Sequence, residues 1–351
     1  MESPVEELEK LLLLDLTDDV RIVGICGMGG IGKTTLATVL YDRISHQFDA
    51  HCFIDNVSKT YRHCGQIGVL KQLLHQTLNE DLQICNLYHA ANLMQSRLRY
   101  VKSIIVLDNV NEVEQLEKLV LNREWLGAGS RIIIISRDKH VLKKCGVTVV
   151  YKVQLLNGAN SLKLFCKKAF DSVDITGDYE ELKYEVLKYA NDLPLAIKVL
   201  GSVLSGRSVS YWRSYLDRLK ENPNKDILDV LRISYDELQD LEKEIFLDIA
   251  CFFCGYEELY VKKVLDCCGF HSEIGIRALV DKSLIDNSSG FIEMHNLLKV
   301  LGRTIVKGNA PKEPGKWSRV WLHEDFYNMS KATVSSCLKI QDFRISFSTF
   351  C

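Results

Sequence analysis

Short, continuously apolar runs alternate with segments of helical periodicity between Val20 and Val153. The runs are VRIVGIC, CFIDNV, SIIVLDN, RIIIIS and VVYKV. Because each run is apolar throughout rather than in alternate positions, it predicts a strand that is buried on both faces. Such strands belong to a parallel sheet with helices on both faces, so this part of the chain is predicted to be an α/β domain.

Helical patterns replace the strands after Leu156. The segment NGANSLKLFCKKAF has an apolar helical face, and the long run YEELKYEVLKYANDLPLAIKVLGSVL is interrupted at Pro194, which must end or kink a helix near Asp192. A third run, DILDVLRISYDELQDLEKEIFLDIACFF, leads into SLIDNSSGFIEMH, where NSSG predicts a hairpin turn. These patterns predict a helical subdomain followed by a winged-helix-like subdomain.

The segment GMGGIGKTT follows the first predicted strand and precedes a predicted helix. It fits the pattern G-x-x-x-x-G-K-[ST] of P-loop NTPases, and its place between strand and helix makes the match specific. In such a loop the backbone N–H groups bind phosphate oxygens, the lysine contacts the β- and γ-phosphates, and the adjacent hydroxyl binds Mg²⁺. We therefore predict a site for ADP or ATP with Mg²⁺. Its residues are Gly27, Met28, Gly29, Gly30, Ile31, Gly32, Lys33, Thr34 and Thr35.

A second anchor for the metal is expected at the carboxyl end of a neighbouring buried strand. Asp108 follows the run SIIVL and occupies that place, so Thr34 and Asp108 are the predicted metal ligands, although Asp108 could instead cap a following helix. Asp108 and Asn109 are the candidates for a hydrolytic step, but an amide can only orient water and cannot take its proton. Arg137 ends the next buried run, where a guanidinium could contact a terminal phosphate.

Composition and charge narrow the possible functions. The chain has 351 residues, 47% of them hydrophobic, and a formal net charge of −2, which argues against a protein built around binding nucleic acid. Several of the 12 cysteines lie in apolar runs and no secretory leader precedes them, so reduced thiols are expected. No stretch approaches the roughly 18 apolar residues of a membrane span. We expect a soluble, cytoplasmic protein that could also enter the nucleus.

Two local features leave alternative interpretations open. Cys251, Cys254, Cys267 and Cys268 form a C-x-x-C followed by a cysteine pair that could bind zinc, although apolar surroundings favour buried thiols. The segment 297–321 carries six basic residues and one acid and could contact DNA, although a solvated helix face explains this charge as well.

The motifs between residues 20 and 329 together resemble a known family. They are GMGGIGKTT, FIDNV, IIVLDNV, GSRIIIISRD, YKVQLLNGANSLKLF, LPLA, FLDIACFF and MHNLLKVLGR. In this order they resemble the nucleotide-binding (NB-ARC) domain of plant leucine-rich-repeat disease-resistance proteins. FLDIACFF, Asn111 and EPGKWSRVWLHEDFYNM resemble the subclass with an N-terminal Toll/interleukin-receptor domain.

The resemblance implies a switch that rests with ADP bound and forms an active oligomer with ATP. It implies that Pro194 packs near the adenine and that Val20 and Arg21 line the base pocket. It also implies that His295 reaches the β-phosphate of ADP and holds the domain closed. Nucleotide is then the first expected partner, and self-association or pairing with full-length immune receptors is the second.

The resemblance and the sequence patterns together predict the division of the chain into parts. The parts are an N-terminal linker (1–19), a P-loop nucleotide-binding domain (20–154), a helical subdomain (155–226), a winged-helix-like subdomain (227–310) and a linker with a divergent tail (311–351). The Toll/interleukin-receptor domain and the repeats are missing from this sequence. We therefore expect a truncated or alternatively spliced form.

Three residues depart from the family pattern. Asn109 and Asn296 stand where the family has aspartate, and Asp192 stands where it has glycine. Asn109 favours a binding switch with weak or absent ATP hydrolysis, with a competent ATPase or a nucleotide-stabilised interaction module as the alternatives. Asn296 predicts weaker retention of ADP.

Overall fold

The computed structural model of the protein consists of two compact units, residues 1–155 and residues 156–351. It describes residues 3–16, 18–116, 123–170, 179–311, 313–321, 324–327 and 344–345. The division lies where the apolar strand pattern of the sequence gives way to helical patterns.

A five-stranded parallel sheet forms the centre of the first unit. Its strands, in the spatial order β2-β3-β4-β1-β5, are β1 (Arg21–Cys26), β2 (Ala50–Ile54), β3 (Ser103–Leu107), β4 (Arg131–Ser136) and β5 (Val149–Lys152). Every residue of β3 and β4 is buried, as expected for strands with packed layers on both faces. The parallel sheet predicted from the apolar runs is therefore confirmed. Its carboxyl ends meet at one edge, where sheets of this class bind ligands.

Helices connect and cover these strands. They are α1 (Pro4–Leu12), α2 (Lys33–Ile44), α3 (Val57–Leu78), α4 (Leu87–Leu98) and α5 (Lys139–Lys144). Helix α2 buries Ala37, Leu40 and Ile44, which are spaced three and four residues apart and therefore lie on one face. The sequence periodicity thus predicts the buried face of the helix that follows the glycine loop.

The N-terminal segment, which we expected to be a linker, contains the packed helix α1. Its residues Leu8 and Leu12 are fully buried in the first unit. Arg21 and Arg131 are partners in neighbouring strands; Arg21 Nε donates to Leu11 O at 2.7 Å, and Arg131 Nε donates to Leu12 O at 2.6 Å. These bonds satisfy carbonyls that a helix end leaves without intrahelical partners. Two arginines of the sheet therefore hold the end of α1.

The second unit is mainly helical. Its elements are α6 (Gly158–Ala169), α7 (Glu180–Ala190), α8 (Pro194–Leu204), α9 (Val209–Glu221), α10 (Lys225–Asp236), α11 (Asp240–Asp248), α12 (Glu258–Cys267), α13 (Ser272–Asp281), α14 (Asn296–Lys307) and the paired short strands β6 (Arg319–Val320) and β7 (Arg344–Ile345). The break predicted at Pro194 lies between α7 and α8. There Asn191 and Asp192 adopt left-handed backbone conformations, with φ of 47° and 61°.

A short antiparallel hairpin precedes α14. Asp286 pairs with Glu293, and Phe291 pairs with Glu257 in a second bridge. Gly290 has φ of 83°, a turn conformation that favours glycine. The hairpin predicted from NSSG is present and follows helices α6 to α13, in the order expected for a winged-helix-like subdomain.

The basic segment that we considered for DNA contact is held by aromatic and acidic partners. Arg303 and Lys307 of α14 lie 5.4 and 5.7 Å from the ring centroid of Trp321, within the range of cation–π attraction. Arg319 is buried and its Nε lies 2.6 Å from Asp248 Oδ1. Much of the charge that a DNA interface would require is therefore engaged within this unit.

The zinc alternative finds no support in the part of the chain that the structure describes. No group of three or more His, Cys, Asp or Glu side chains there could hold a metal ion. Cys251 is buried, which raises the pKa of its thiol to about 12, whereas Cys267 and Cys268 are exposed. Among these described residues there is also no helix with the length and apolar character needed to cross a membrane.

Candidate nucleotide-binding site

The glycine loop joins the carboxyl end of β1 to the start of α2. Gly30 and Gly32 have φ of 78° and 102°, in the left-handed region that favours glycine. Gly32 is the N-cap of α2 and supplies no side-chain hydrogen bond, so the first N–H groups of the helix and its positive dipole end favour an anion. Met28 and Ile31 are buried in the first unit, whereas Thr35 is exposed.

Lys33 is buried at the base of this loop. Its Nζ donates to Gly27 O at 2.6 Å and to Met28 O at 2.9 Å. Burial, together with the positive charge of Arg137, lowers the pKa of Lys33 from 10.5 to about 8. Carbonyl oxygens alone do not neutralise this ammonium, and phosphate oxygens would supply the missing negative charge.

Thr34 and Asp108 meet at the same edge of the sheet. Thr34 Oγ1 donates to Asp108 Oδ2 at 2.9 Å, and Asp108 is only 5% exposed. Burial raises the pKa of Asp108, and hydrogen bonds from Thr34 and from the N–H of Asn109 oppose that rise. Two adjacent ligands of an octahedral Mg²⁺ at 2.0–2.1 Å lie about 2.9 Å apart, so this pair of hard oxygen atoms fits the metal.

Asn109 forms the turn that follows Asp108. Its φ is 55°, a left-handed conformation that asparagine tolerates better than most residues. Its N–H donates to Asp108 Oδ1 at 2.8 Å, and its Nδ2 donates to Asn56 Oδ1 at 2.9 Å. The side-chain nitrogen of Asn109, Nδ2, is therefore bound to the N-cap residue of α3. The other polar atom of this side chain, Oδ1, can only accept a hydrogen bond.

Arg137 follows β4 directly and is half-buried. Its carbonyl oxygen accepts a hydrogen bond from Cys26 Sγ at 3.7 Å, which links the ends of β4 and β1. Its charge acts on Lys33, so the guanidinium belongs to the electrostatic surroundings of the glycine loop. The structure thus brings the loop, Asp108, Asn109 and Arg137 to one edge of the sheet, as their positions at strand ends predict.

Val20 and Arg21 lie at the opposite end of β1. Five residue steps of about 3.3 Å place Arg21 about 16 Å from Cys26, the last residue before the glycine loop. Val20 is buried, and Arg21 holds the end of α1. The base-pocket role of these two residues stays a prediction.

Pro194 and His295 belong to the second unit. Pro194 is the first residue of α8 and is buried. His295 is the N-cap of α14; its Nδ1 accepts the N–H of Leu297 at 3.2 Å, and its Nε2 lies 2.8 Å from Asn191 O. Because a carbonyl only accepts and a backbone N–H only donates, the proton is on Nε2. Burial lowers the pKa of His295, which favours this neutral form.

The sequence does not predict the backbone conformation and partner of Asp192 or the partner of Asn56. Asp192 has φ of 61°, which explains why the family has glycine there, and its Oδ1 accepts a bond from Ser161 Oγ at 2.7 Å. Asn56 contacts Asn109 across 53 positions of sequence. The only local signal for Asn56 is its place between a strand and a helical pattern, which indicates an N-cap and nothing about Asn109.

Comparison with known proteins identifies two domains in the chain. Residues 1–174 match the NB-ARC domain. Residues 239–310 match the winged-helix domain of Roq1-like disease resistance proteins. Residues 1–174 are therefore an NB-ARC domain. Since the NB-ARC match begins at residue 1, it includes α1, in agreement with the packing of that helix.

Curated relatives of this NB-ARC chain are plant disease-resistance proteins. It is 42% identical over 328 residues to disease resistance protein RUN1 of Vitis rotundifolia, a match that covers 93% of the chain and 25% of RUN1. It is 39% identical over 333 residues to TMV resistance protein N of Nicotiana glutinosa, covering 93% of the chain and 28% of that protein. The chain thus spans about a quarter of the length of these relatives.

A solved structure supports the fold. A Walker-type ATPase of Pyrococcus abyssi matches with a TM-score of 0.55 and 11% sequence identity, over 85% of this chain and 94% of the ATPase. At this identity the similarity concerns the fold alone. The NB-ARC chain therefore has a P-loop-type sheet followed by helical and winged-helix subdomains, and it carries the nucleotide-binding domain of plant disease-resistance proteins.

Proposed function

We propose that this NB-ARC chain is an ADP/ATP-binding switch of the plant immune-receptor type, whose resting state holds ADP and which hydrolyses ATP slowly or not at all. One observation carries the proposal. Thr34 Oγ1 and Asp108 Oδ2 lie 2.9 Å apart beside the buried ammonium of Lys33, at the carboxyl edge of a parallel sheet.

Each residue of this group has a distinct task in binding nucleotide. The uncapped start of α2 and the loop N–H groups would bind the β-phosphate, and Lys33 would exchange its bonds with Gly27 and Met28 for phosphate oxygens. Thr34 and Asp108 would hold Mg²⁺, which neutralises phosphate charge when bound. Arg137 would distinguish ATP from ADP by contacting the terminal phosphate.

Asn109 is the reason for proposing a switch rather than a catalyst. Its Nδ2 is bound to Asn56, and its remaining amide oxygen can accept a hydrogen bond from water but cannot remove a proton. Binding and the metal site do not depend on that step. The chain can therefore hold nucleotide with its metal while the hydrolytic step lacks a general base at this position.

His295 is proposed to report on the nucleotide by exchanging partners. Both of its ring nitrogens are engaged within the second unit, with Asn191 and with Leu297. A bond from Nε2 to the β-phosphate would replace the bond to Asn191. Asn296 Nδ2 also donates to Asn191 Oδ1 at 3.3 Å. His295 and Asn296 therefore both bind Asn191, in the turn between α7 and α8.

The central experiment identifies the nucleotide that the full chain carries. The purified protein is denatured and the released nucleotide is separated by chromatography; we expect ADP. Lys33→Ala should remove it, because the ammonium is the charged group that the loop offers to phosphate. Lys71→Ala is the matched control, since Lys71 is exposed on α3. A wild-type chain that neither carries ADP nor binds added ADP contradicts the proposal.

A second experiment separates slow from competent hydrolysis. Single-turnover measurements with ATP should give a low rate for the wild type and a rate at least about tenfold higher for Asn109→Asp, because a carboxylate can act as a general base. Asn79→Asp provides the control, since Asn79 has the same left-handed conformation, with φ of 53°, at the other end of α3. Rapid hydrolysis by the wild type would support a competent ATPase instead.

A further inference from the structure

Two asparagines link helix α3 to the tip of strand β3. Asn56 follows β2 and is the N-cap of α3, whereas Asn109 follows Asp108. Asn109 Nδ2 donates to Asn56 Oδ1 at 2.9 Å, and the same oxygen accepts the N–H of Lys59 at 3.2 Å. The Asn56 side chain therefore binds one donor in its own helix and one at the nucleotide-binding edge of the sheet.

Hydrogen bonds to the carbonyls of Asp108 and Asn109 join the same two segments. Asp108 O accepts the N–H of Val57 at 2.8 Å, and Asn109 O accepts a bond from Ser58 Oγ at 2.6 Å. The N–H of Asn109 donates to Asp108 Oδ1, and the other carboxylate oxygen accepts from Thr34. The conformation of Asn109 therefore controls one of the two hydrogen bonds that orient the carboxylate.

The turn at Asn109 depends on such contacts because its backbone is left-handed. A residue other than glycine costs free energy in this conformation, and a local side-chain hydrogen bond reduces that cost. Asn56 is also left-handed, with φ of 58°, so a pair of unusual turns is held together by one bond between their side chains.

We propose that Asn56 is a positioning residue of the nucleotide site, which fixes the turn at Asn109 and thereby orients Asp108 toward Thr34 and Mg²⁺. The inference rests on the proposed function, because it requires nucleotide and Mg²⁺ to bind here. Asn56 should affect only the part of the ADP affinity that depends on Mg²⁺. The glycine loop and Lys33 hold the phosphates without it.

Charge substitution distinguishes this role from a purely structural one. With Asn109 in place, Asn56→Asp keeps an acceptor both for Nδ2 of Asn109 and for the N–H of Lys59, and aspartate is also a good N-cap. With Asn109→Asp in addition, two carboxylates would face each other at the position of that bond and repel. The same substitution at Asn56 is therefore conservative in one background and disruptive in the other.

The experiment measures the affinity of the full chain for ADP with Mg²⁺ and with EDTA. Asn56→Gly, which tolerates a positive φ, should reduce the Mg²⁺-dependent gain in affinity by about threefold to tenfold and leave the affinity in EDTA within about twofold of wild type. Asn56→Asp should restore the gain, and Asn56→Asp with Asn109→Asp should lose it. Asn79→Gly is the matched control for a left-handed asparagine.

Asn109→Gly removes the same bond from the other side and should reproduce the loss, which keeps the test valid if Asn56→Gly does not fold. An Mg²⁺-dependent gain equal to wild type in both glycine variants overturns the inference, as does an Asn56→Asp variant as impaired as Asn56→Gly. Failure of the proposed function is distinguishable from these results, because the wild type itself would then bind no ADP.

Discussion

The affinity for ADP should fall as the pH rises through the pKa of Lys33. In the free protein burial holds this pKa at about 8, well below the ordinary value of 10.5. That difference corresponds to about 3 kcal/mol of unfavourable interaction for the buried ammonium at neutral pH. Phosphate oxygens favour the charged form, so ADP binding should raise the pKa of Lys33 and take up a proton wherever the free protein has lost it.

The sign and size of the effect follow from this linkage. Below pH 8 the free protein already carries the ammonium, so the affinity contributed by Lys33 is complete there. Above pH 8 the affinity should fall by up to about tenfold per pH unit, until the pKa of the complex is reached. At about pH 9.5 only about 3% of the free protein is protonated at Lys33, which lowers the affinity about thirtyfold, or by about 2 kcal/mol.

Competition binding with a fluorescent ADP analogue, in EDTA and at constant ionic strength, checks this expectation between about pH 7.5 and 9.5. The phosphates of ADP are fully ionised over most of this range, because the second pKa of a phosphate is about 6. Lys33→Arg is the matched control, since a guanidinium keeps its charge throughout and should give a flat profile. An equally flat profile for the wild type would refute a depressed pKa at Lys33.

Two further predictions concern single carboxylates. Asp248→Asn should lower the free energy of unfolding of the second unit by about 3 kcal/mol, because among the described residues it leaves the buried guanidinium of Arg319 with the half-exposed carboxylate of Glu244, 2.8 Å away, as its acidic partner; urea denaturation followed by tryptophan fluorescence measures it. Asp217→Asn, in an exposed pair, should leave the stability nearly unchanged. Asp108→Asn should abolish the Mg²⁺-dependent gain in ADP affinity and preserve binding in EDTA, measured by the same competition assay; a retained gain would exclude Asp108 as a metal ligand.

The sheet and its binding edge could be predicted because their signals are local. Each strand is a run of apolar residues, and the residue after the run must emerge at the carboxyl edge. This reasoning found Asp108 and Arg137, which the structure brings to the edge that also holds Lys33. The glycine loop was equally local, since its pattern lies in nine consecutive residues between one strand and one helix.

Contacts between distant segments could not be predicted in this way. Arg131 and Leu12 are separated by 119 positions, and nothing near either residue shows that a strand would hold the end of α1. The charge of the segment around Arg319 was counted correctly, but a count of charge does not show that Asp248, 71 positions away, neutralises this residue in the interior. Burial and pairing decide whether a basic segment is an interface, and both depend on the tertiary fold.

The choice of residue at position 109 combines a local and a distant constraint. The left-handed backbone there admits asparagine and aspartate about equally, so it does not explain the amide. The side chain of Asn56 does, because its oxygen already accepts the N–H of Lys59 and can only accept from a donor at position 109. An acid at position 109 would therefore require Asn56 to turn its own amide and release Lys59. An acid at position 109 could act as a general base, but it would disrupt the N-cap of α3. Asn109→Asp should therefore raise the rate of ATP hydrolysis only to the extent that the first turn of α3 rearranges and releases the N–H of Lys59.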